Sequence, residues 1–594
     1  MTHKEYDIII MGGGPSGSIL GALLTKKSNL KVAIFEEDEF PREKIGESFA
    51  HPIIPILEEC GVLQKVLDSG CWIKKFGGIF DWDNKTPKTT FFDMLNYVED
   101  GVHRWAIHTD RAEFDKILLD HAQSSGVDVF EKNKIEQYRY ENNIGTVTLE
   151  SGQVVNCKIF VDASGRRNTV IPTTRKSYLS EYKNLAVWNH FVGGKPAQTL
   201  DGDWNIFNKN NQSPVACFAF EHGWIWYIPI PKMINNERTI VYSLGIITDP
   251  KLIKTLNKDL KDPEQFFDFI KTVPRLKDLI KDAKPVNDEV KVLSNYSMIQ
   301  EKFCDFDEGW IMVGDSAYFV DPLFSSGVAF AGGMASTASL LIRSTLDDKN
   351  LTDEMKKDVW HDYDEEWHKI AHSFALSIDQ WYHAIAKSNP QSIFWNKRNV
   401  LTSDLGIKDE TFHALVDTAL NQDLLTLLTS GSFKEEDLDT DGRFLKRLSE
   451  LNRSEPSPSD IVSLDENVYI RDGFSIDVPG FKASIPPMEI PEELKKAIAT
   501  YWKDPIKNAD AAPSGIEHLI PCSRFTKTGL EKNKEVRFVD QRTGGKALFD
   551  LLKQQPVLYS ELIDKISMTQ LTLLKNLILE GMVNVQKESL IEIK

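Results

Sequence analysis

The sequence predicts an α/β protein in three parts, and three observations predict it. Residues 6–38 read as strand, glycine turn, helix and strand. From Leu185 to Ile247 apolar and polar residues alternate and aromatics are frequent, which predicts an antiparallel sheet. From Asp353 onward the apolar period becomes helical. A chain of 594 residues favours several domains, about three or four by length alone. With 41% hydrophobic and 27% charged residues it has the composition of a globular protein. Its net charge of −18 argues against a nucleic-acid surface. The six cysteines lie far apart and show no metal-ligand spacing, so they read as reduced thiols of a cytoplasmic protein with no metal. MTHKEYDIII lacks the apolar core of a signal peptide, and no apolar run is long enough to span a bilayer.

In chain order, YDIIIMGGGPSGSILGALL gives strand, tight turn and helix, and KVAIFEED gives the next strand. HPIIPILEECGVLQKVL reads as helical, KKFGGIF as one short strand, and DRAEFDKILLDHAQSSG as a helix opened by Arg111. A meander follows from VDVFEKNKIEQYRY to IFVDASG, which carries Asp162 and Gly165. LAVWNHFVGG, CFAFEHGWIWYIPIP and RTIVYSLGII form the antiparallel layer. GWIMVGD returns to the first sheet, and SSGVAFAGGMASTASLLIRSTL is its helix. The expected domains are 1–350, containing a substrate sheet over about 185–300, a helical 351–450, an irregular Pro/Ser-rich linker 451–490, and a winged-helix-like 491–594.

Gly12, Gly14 and Gly17 fit G-x-G-x-x-G. The first makes the turn, the second lets backbone approach a pyrophosphate, and the third lets helix pack on strand. The helix start offers free N–H groups to the phosphates. Glu36 ends the second strand about 20 residues on, where an acid accepts ribose hydroxyls. Asp315 closes a strand before a helix; a helix N-cap is its plainer reading. The order Arg111, Asp162, Gly165, Asp315 resembles the flavin monooxygenase class of the glutathione-reductase-like FAD-binding fold. That resemblance gives FAD as cofactor, with Ser16, Arg42, Arg111 and Asp315 joining the glycines and Glu36 around it.

PREKIGES (Pro41 to Ser48), KKFGGIF, Trp224-Ile225-Trp226-Tyr227-Ile228-Pro229 and Phe319-x-x-Pro322-x-x-Ser325-x-Gly327 together resemble the flavin-dependent halogenases over roughly residues 5–400. Trp224, Trp226 and Ile228 share one strand face by the period of two, so they could wall a passage from flavin to substrate. An aromatic sheet core is the alternative. The resemblance implies that reduced FAD from a separate reductase, O2 and chloride or bromide give hypohalous acid. It implies that Lys75 receives this acid inside the protein, that the amides of Ser326 and Gly327 hold the halide, and that an electron-rich ring then attacks the halogen. Lys74 is the neighbouring candidate, and only one of the two can face the passage. A solvated strand lysine is the alternative for Lys75.

Tryptophan halogenases carry a Glu directly after the Pro-Leu of this loop, whereas this chain has Phe324. The chain therefore resembles the branch acting on phenols or on aromatics tethered to a carrier protein. Its substrate base stays open among Glu47, His103, His108 and Asp110. Trp381, Tyr382, Phe394 and Trp395 are candidates for cavity wall or for core. His361, His368 and His372 share a helix without the further ligands a metal needs. A flavin hydroxylase or epoxidase of the same fold and a non-catalytic flavin-fold scaffold are the rival readings. The paired Trp motif and the lysine speak against the first, and the intact glycine loop, Arg111 and Asp315 against the second.

Overall fold

The computed structural model describes residues 4–50, 53–75, 78–81, 88–89, 106–166, 170–177, 184–200, 213–256, 258–294, 296–347, 352–388, 391–396, 456–473, 527–532, 535–539, 545–566, 568–579 and 581–587. They fall into two compact units. The first is built on a six-stranded sheet ordered Cys304–Asp305, Trp310–Met312, Ile159–Asp162, Ile8–Met11, Val32–Phe35 and Asp128–Phe130. Five strands are parallel and Cys304–Asp305 is antiparallel to its neighbour. Three of these strands (Ile8–Met11, Val32–Phe35, Ile159–Asp162) are nearly continuous apolar runs, as expected where both sheet faces are covered.

Gly12 ends the first strand with φ +108, a conformation that side chains avoid, and the helix Pro15–Lys27 starts from that turn with Pro at its first position. The helix Arg111–Ser124 is capped by Asp110, whose carboxylate accepts from the Ala112 N–H at 3.2 Å. Its Phe114, Leu118 and Ala122 recur every four residues and are buried.

The second sheet has eight strands. Its centre pairs Leu185–Val192 with Glu237–Thr248, that strand with Gly223–Ile234, and that one with Val215–Phe220, all antiparallel. Its edge comes from the N-terminal third, where Gly78–Asp81 pairs in parallel with Val215–Phe220. KKFGGIF is thus not one strand. Trp72–Lys75 pairs instead with Ala106–Thr109 in a separate two-stranded sheet, and residues 76–77 between the halves lie outside the described residues.

Alternation sorts the residues of Gly223–Ile234. Ile225 and Tyr227 join an apolar core with Phe266, Phe269 and Ile270 of the helix Pro263–Ile270, while Trp224, Trp226 and Ile228 face the other way. Pro229 and Pro231 are tolerated mid-strand because the Val215–Phe220 neighbour reaches only to Tyr227, so no ladder bond is lost on that side. The strand Gly223–Ile234 also contacts both strands of the Lys75 sheet.

The helix Asp353–Ser388 buries Trp360, Tyr363, Trp367, Ala371, Ala375, Ile378 and Tyr382, a stripe spaced three and four residues apart. Each large side chain on it contributes roughly 1.5–3 kcal/mol by burial. Among the described residues no helix is long and apolar enough to cross a membrane.

In the second unit, helices Gly545–Gln554, Tyr559–Ile563 and Met568–Leu579 pack with a three-stranded sheet of Val557–Leu558, Ile461–Leu464 and Val583–Gln586. The central strand, Ile461–Leu464, lies within the span read as irregular linker. Its four residues are too few to show a period between Pro- and Ser-rich flanks. Residues 397–455 and 474–526 lie outside the described residues.

Candidate active site

One cavity of about 710 Å³ runs along the C-terminal ends of the parallel strands and up to the second sheet. Gly12, Gly14, Ser16, Glu36, Arg42, Arg111 and Asp315 line one end, and Trp224, Trp226, Phe319, Pro322, Ser325 and Gly327 the other. Of the predicted set, Gly17, Lys75, Pro229 and Ser326 stand behind this wall.

The glycine end has the shape a pyrophosphate needs. A Cβ on Gly17 would stand 2.0 Å from the Gly12 oxygen, and one on Gly12 2.5 Å from the Ala163 oxygen. At Gly14 the nearest atom to such a Cβ, Arg42 Nη2, is 3.9 Å away, so that backbone is open to the cavity. Glu36 accepts the Gly13 N–H at 2.8 Å and the Asp38 N–H at 2.9 Å, which fixes the carboxylate at the strand end. A second lone pair on each oxygen remains for a ribose.

Arg111 is mostly committed to the protein. Nε and Nη2 pair with Asp115 at 2.8 and 2.9 Å, and Nη1 donates to the Ile45 and Gly46 carbonyls at 3.0 and 3.1 Å. Burial works to lower its pKa, and Asp115 outweighs that and leaves it raised. Arg111 therefore ties the helix Arg111–Ser124 to the PREKIGES segment and turns only one Nη2 proton elsewhere. Arg42 lies 4.2 Å over the Phe40 ring and 3.6 Å from Glu36. Asp315 is pushed up by burial and held back by the positive charges of Arg166, Arg111 and Lys44.

Sequence reasoning missed Arg166 and Lys44 on this wall. Arg166 lies 5.6 Å from the Phe319 ring centre and 5.9 Å from that of Tyr296. A cation directly after DASG was the available signal. These donors, the open Gly14 backbone and Glu36 fit a flavin dinucleotide.

At the other end Trp224 and Trp226 stand edge to face, with ring centres 6.3 Å apart. Trp226 donates to Ser243 Oγ and Trp224 to the Tyr382 hydroxyl, each at 3.1 Å. In the loop before helix Gly327–Asp347, Leu323 N–H donates to Asp321 Oδ1 and Ser325 N–H to the Pro322 carbonyl, each at 3.0 Å. Ser325 takes φ +58, a left-handed conformation rare for a residue with a Cβ. Among the described residues neither the Ser326 N–H nor the Gly327 N–H has an acceptor, and the buried Ser326 Oγ has no partner. Beside them lies a void of about 10 Å³, bounded also by Phe319, Asp321 and Phe374. That is space for a single water or small ion.

Lys75 is fully buried, whereas Lys74 next to it is half-buried, as the alternation requires. Lys75 Nζ donates to Ser48 Oγ and to the Phe49 carbonyl, each at 2.9 Å. Burial drives its pKa down to about 7. Ser48 lines the cavity, so Lys75 sits one side chain behind the wall.

Of the three candidate bases among the described residues, Glu47 lines the cavity and His108 and Asp110 do not. Glu47 Oε1 meets His190 Nε2 at 2.6 Å; burial works to raise its pKa, and His190 overrides this and leaves it lowered. His108 contacts the Ser213 carbonyl and is held neutral, first by burial and then by Lys75. Asp110 serves as the helix cap, and His103 lies outside the described residues. Tyr382, Phe394 and Trp395 are buried, and Tyr382 reaches the site; the side chains of Trp381 and His372 lie outside the described set. His361 pairs with Glu365, and His368 stacks on Phe303 at 3.8 Å, so each has an ordinary structural partner.

The family model described as tryptophan halogenase matches residues 7–100 and 92–417. A 1H-pyrrole-2-carbonyl-[peptidyl-carrier protein] chlorinase of Pseudomonas fluorescens is 31% identical over 364 residues, 57% of this chain and 76% of that protein. A tryptophan 2-halogenase of Chondromyces crocatus is 26% identical over 452 residues, 74% and 78% of the two chains. Among solved structures, CmlS, a flavin-dependent halogenase, aligns with a TM-score of 0.66 at 22% identity, over 99% of this chain and 97% of its own. The myxobacterial chondrochloren halogenase CndH aligns at 0.56 and 24% identity, over 72% and 90%. These two share the fold. With the family model spanning most of the cavity-bearing unit, the chain belongs to the flavin-dependent halogenases, enzymes that use FAD and a halide.

Proposed function

We propose that this enzyme chlorinates or brominates an electron-rich aromatic, phenolic or tethered to a carrier protein, by way of Lys75. The observation that carries the reading is Lys75 itself, a lysine without solvent contact whose pKa burial brings down to about 7. FAD, reduced by a separate reductase, supplies with O2 the two-electron oxidation of halide to hypohalous acid. Every other role belongs to the chain. Gly12, Gly14, Ser16, Gly17 and Glu36 seat the dinucleotide, with Arg42, Arg111 and Asp315 around it. The unpaired N–H groups of Ser326 and Gly327 at a helix start attract the halide. Trp224 and Trp226, with Pro229 behind them, and the Phe319, Pro322 and Ser325 loop wall the passage and exclude water. Lys75, held by Ser48 and Phe49, receives the halogen as a hydrogen-bonded acid or a haloamine.

Two observations support the substrate class. Phe324 occupies the position where a tryptophan halogenase carries a carboxylate, and its ring lies 6.4 Å from that of Phe374. The Pseudomonas fluorescens relative is named for a carrier-bound pyrrole. Purified protein with a flavin reductase, FAD, NADH and bromide should halogenate an electron-rich phenol or a carrier-bound aromatic, and omission of the reductase should stop the reaction. Lys75→Ala should lower halogenation roughly a hundredfold to ten-thousandfold and leave FAD binding unchanged, the range for removing a positioned acid–base side chain. An oxygenated product without halogen, or a fully active Lys75→Ala, overturns the reading.

A further inference from the structure

We propose that Asp321, Tyr382 and Trp224 form a brace that fixes the halide loop against the tunnel strand, so that hypohalous acid made at the first reaches the second without escaping. The inference rests on the halogenation assigned above and names positioning residues for it. Trp224 Nε1 donates to the Tyr382 hydroxyl at 3.1 Å, and that hydroxyl donates to Asp321 Oδ1 at 2.9 Å. The direction is fixed, because an indole N–H only donates and a carboxylate only accepts. Three separate elements meet there: the strand Gly223–Ile234, the loop after Tyr318–Phe319, and the helix Asp353–Ser388.

All three side chains are buried, at 1%, 0% and 2% exposure for Trp224, Tyr382 and Asp321, so water cannot substitute for a lost bond. Asp321 also accepts the Leu323 N–H at 3.0 Å and Asn184 Nδ2 at 3.4 Å, which shapes the turn leading to Ser326. The same carboxylate bounds the small void beside Ser326 and Gly327, while Trp224 lines the large cavity. The brace is therefore the hydrogen-bonded route from halide seat to passage wall. Packing alone would be served as well by phenylalanine at 382. The hydroxyl is what converts contact into register.

Tyr382→Phe keeps the ring and removes the bridge. Expected is a fall of roughly 10- to 100-fold in halogenated product per flavin oxidised, the scale of a small misplacement of reacting groups. Flavin oxidation rate and FAD affinity should stay at the wild-type level, and hypohalite trapped by a soluble scavenger should rise. Trapping needs only reduced flavin, O2 and bromide, so the brace is tested even without the native aromatic. Asp321→Asn, the second variant, should leak in the same way. It should also lower the KM for bromide, because the charge beside the void is gone, whereas Tyr382→Phe should not lower it. A Tyr382→Phe enzyme with wild-type trapping overturns the brace, as does one in which flavin oxidation and product fall together. A wild type that leaks no trappable hypohalite and halogenates nothing overturns the underlying halogenation reading instead.

Discussion

At the nucleotide end of the cavity the decisive atoms belong to the backbone; at the far end they belong to side chains bonded across long stretches of chain. Gly12, Gly14 and Gly17 lie within six residues and work by lacking a Cβ. Lys75 depends on Ser48, 27 residues away, and Trp224 on Tyr382, 158 residues away. The first end starts from a short local turn that closes on the Ala163 backbone. The second exists only once the whole unit has folded, and its Lys75, Trp224 and Tyr382 are sealed from water. Seating a dinucleotide needs a fixed backbone curve, whereas confining a reactive oxidant needs walls without solvent-filled gaps.

The largest test of this contrast is Gly17→Ala. A Cβ 2.0 Å from the Gly12 oxygen cannot be accommodated by moving a side chain, so flavin binding should be lost, at a stability cost on the order of 3 kcal/mol or more. Flavin absorbance after gel filtration reads the first loss and a denaturation midpoint the second. Next is Lys75→Met. The folded pKa of about 7 lies below the usual 10.5, so the unfolded chain binds the extra proton between these values and wild-type stability rises with pH across that window. The variant should thus be more stable than wild type below pH 7, by up to roughly 5 kcal/mol at 1.36 kcal/mol per pKa unit. The advantage should vanish toward pH 10.5. Urea midpoints at a series of pH values check it, and a pH-independent difference refutes the buried-amine assignment.

Two smaller effects separate the ends further. Arg166→Gln removes a cation from the wall near Asp315 and should weaken FAD binding about tenfold, the worth of one charge-assisted contact, with little change in bromide KM. Ser326→Ala should do the reverse, raising bromide KM about threefold to fivefold with FAD affinity unchanged, since one unpartnered hydroxyl is lost. Flavin titration and halide kinetics on the same preparations would show whether the two ends are as independent as their construction implies.

Legibility in the sequence follows the same division. The glycine spacing, Glu36 and the strand period that turns Trp224, Trp226 and Ile228 to one face are local patterns, and the structure puts these residues on or against one cavity. The choice of Lys75 over Lys74 was half legible. Alternation allowed only one of them inward, and the burial that selects Lys75 comes from the pairing of Trp72–Lys75 with Ala106–Thr109. The splitting of KKFGGIF between two sheets was hidden, because a strand's partners are not written in its own residues. So were the His190 contact of Glu47 and the bidentate hold of Asp115 on Arg111, although the latter's spacing of four on a helix was a signal to use. The strand Ile461–Leu464 was masked by its neighbours' composition.

The helix Asp353–Ser388 begins after the helix that closes the nucleotide fold, yet it carries the hydroxyl that touches both signature motifs. A chimera cut between residues 347 and 353, at a boundary that looks harmless from the motifs, would transplant the passage without one of its fastenings. Exchange of substrate preference among relatives should therefore succeed when the crossover falls beyond Tyr382, so that strand, loop and helix travel as one inherited block.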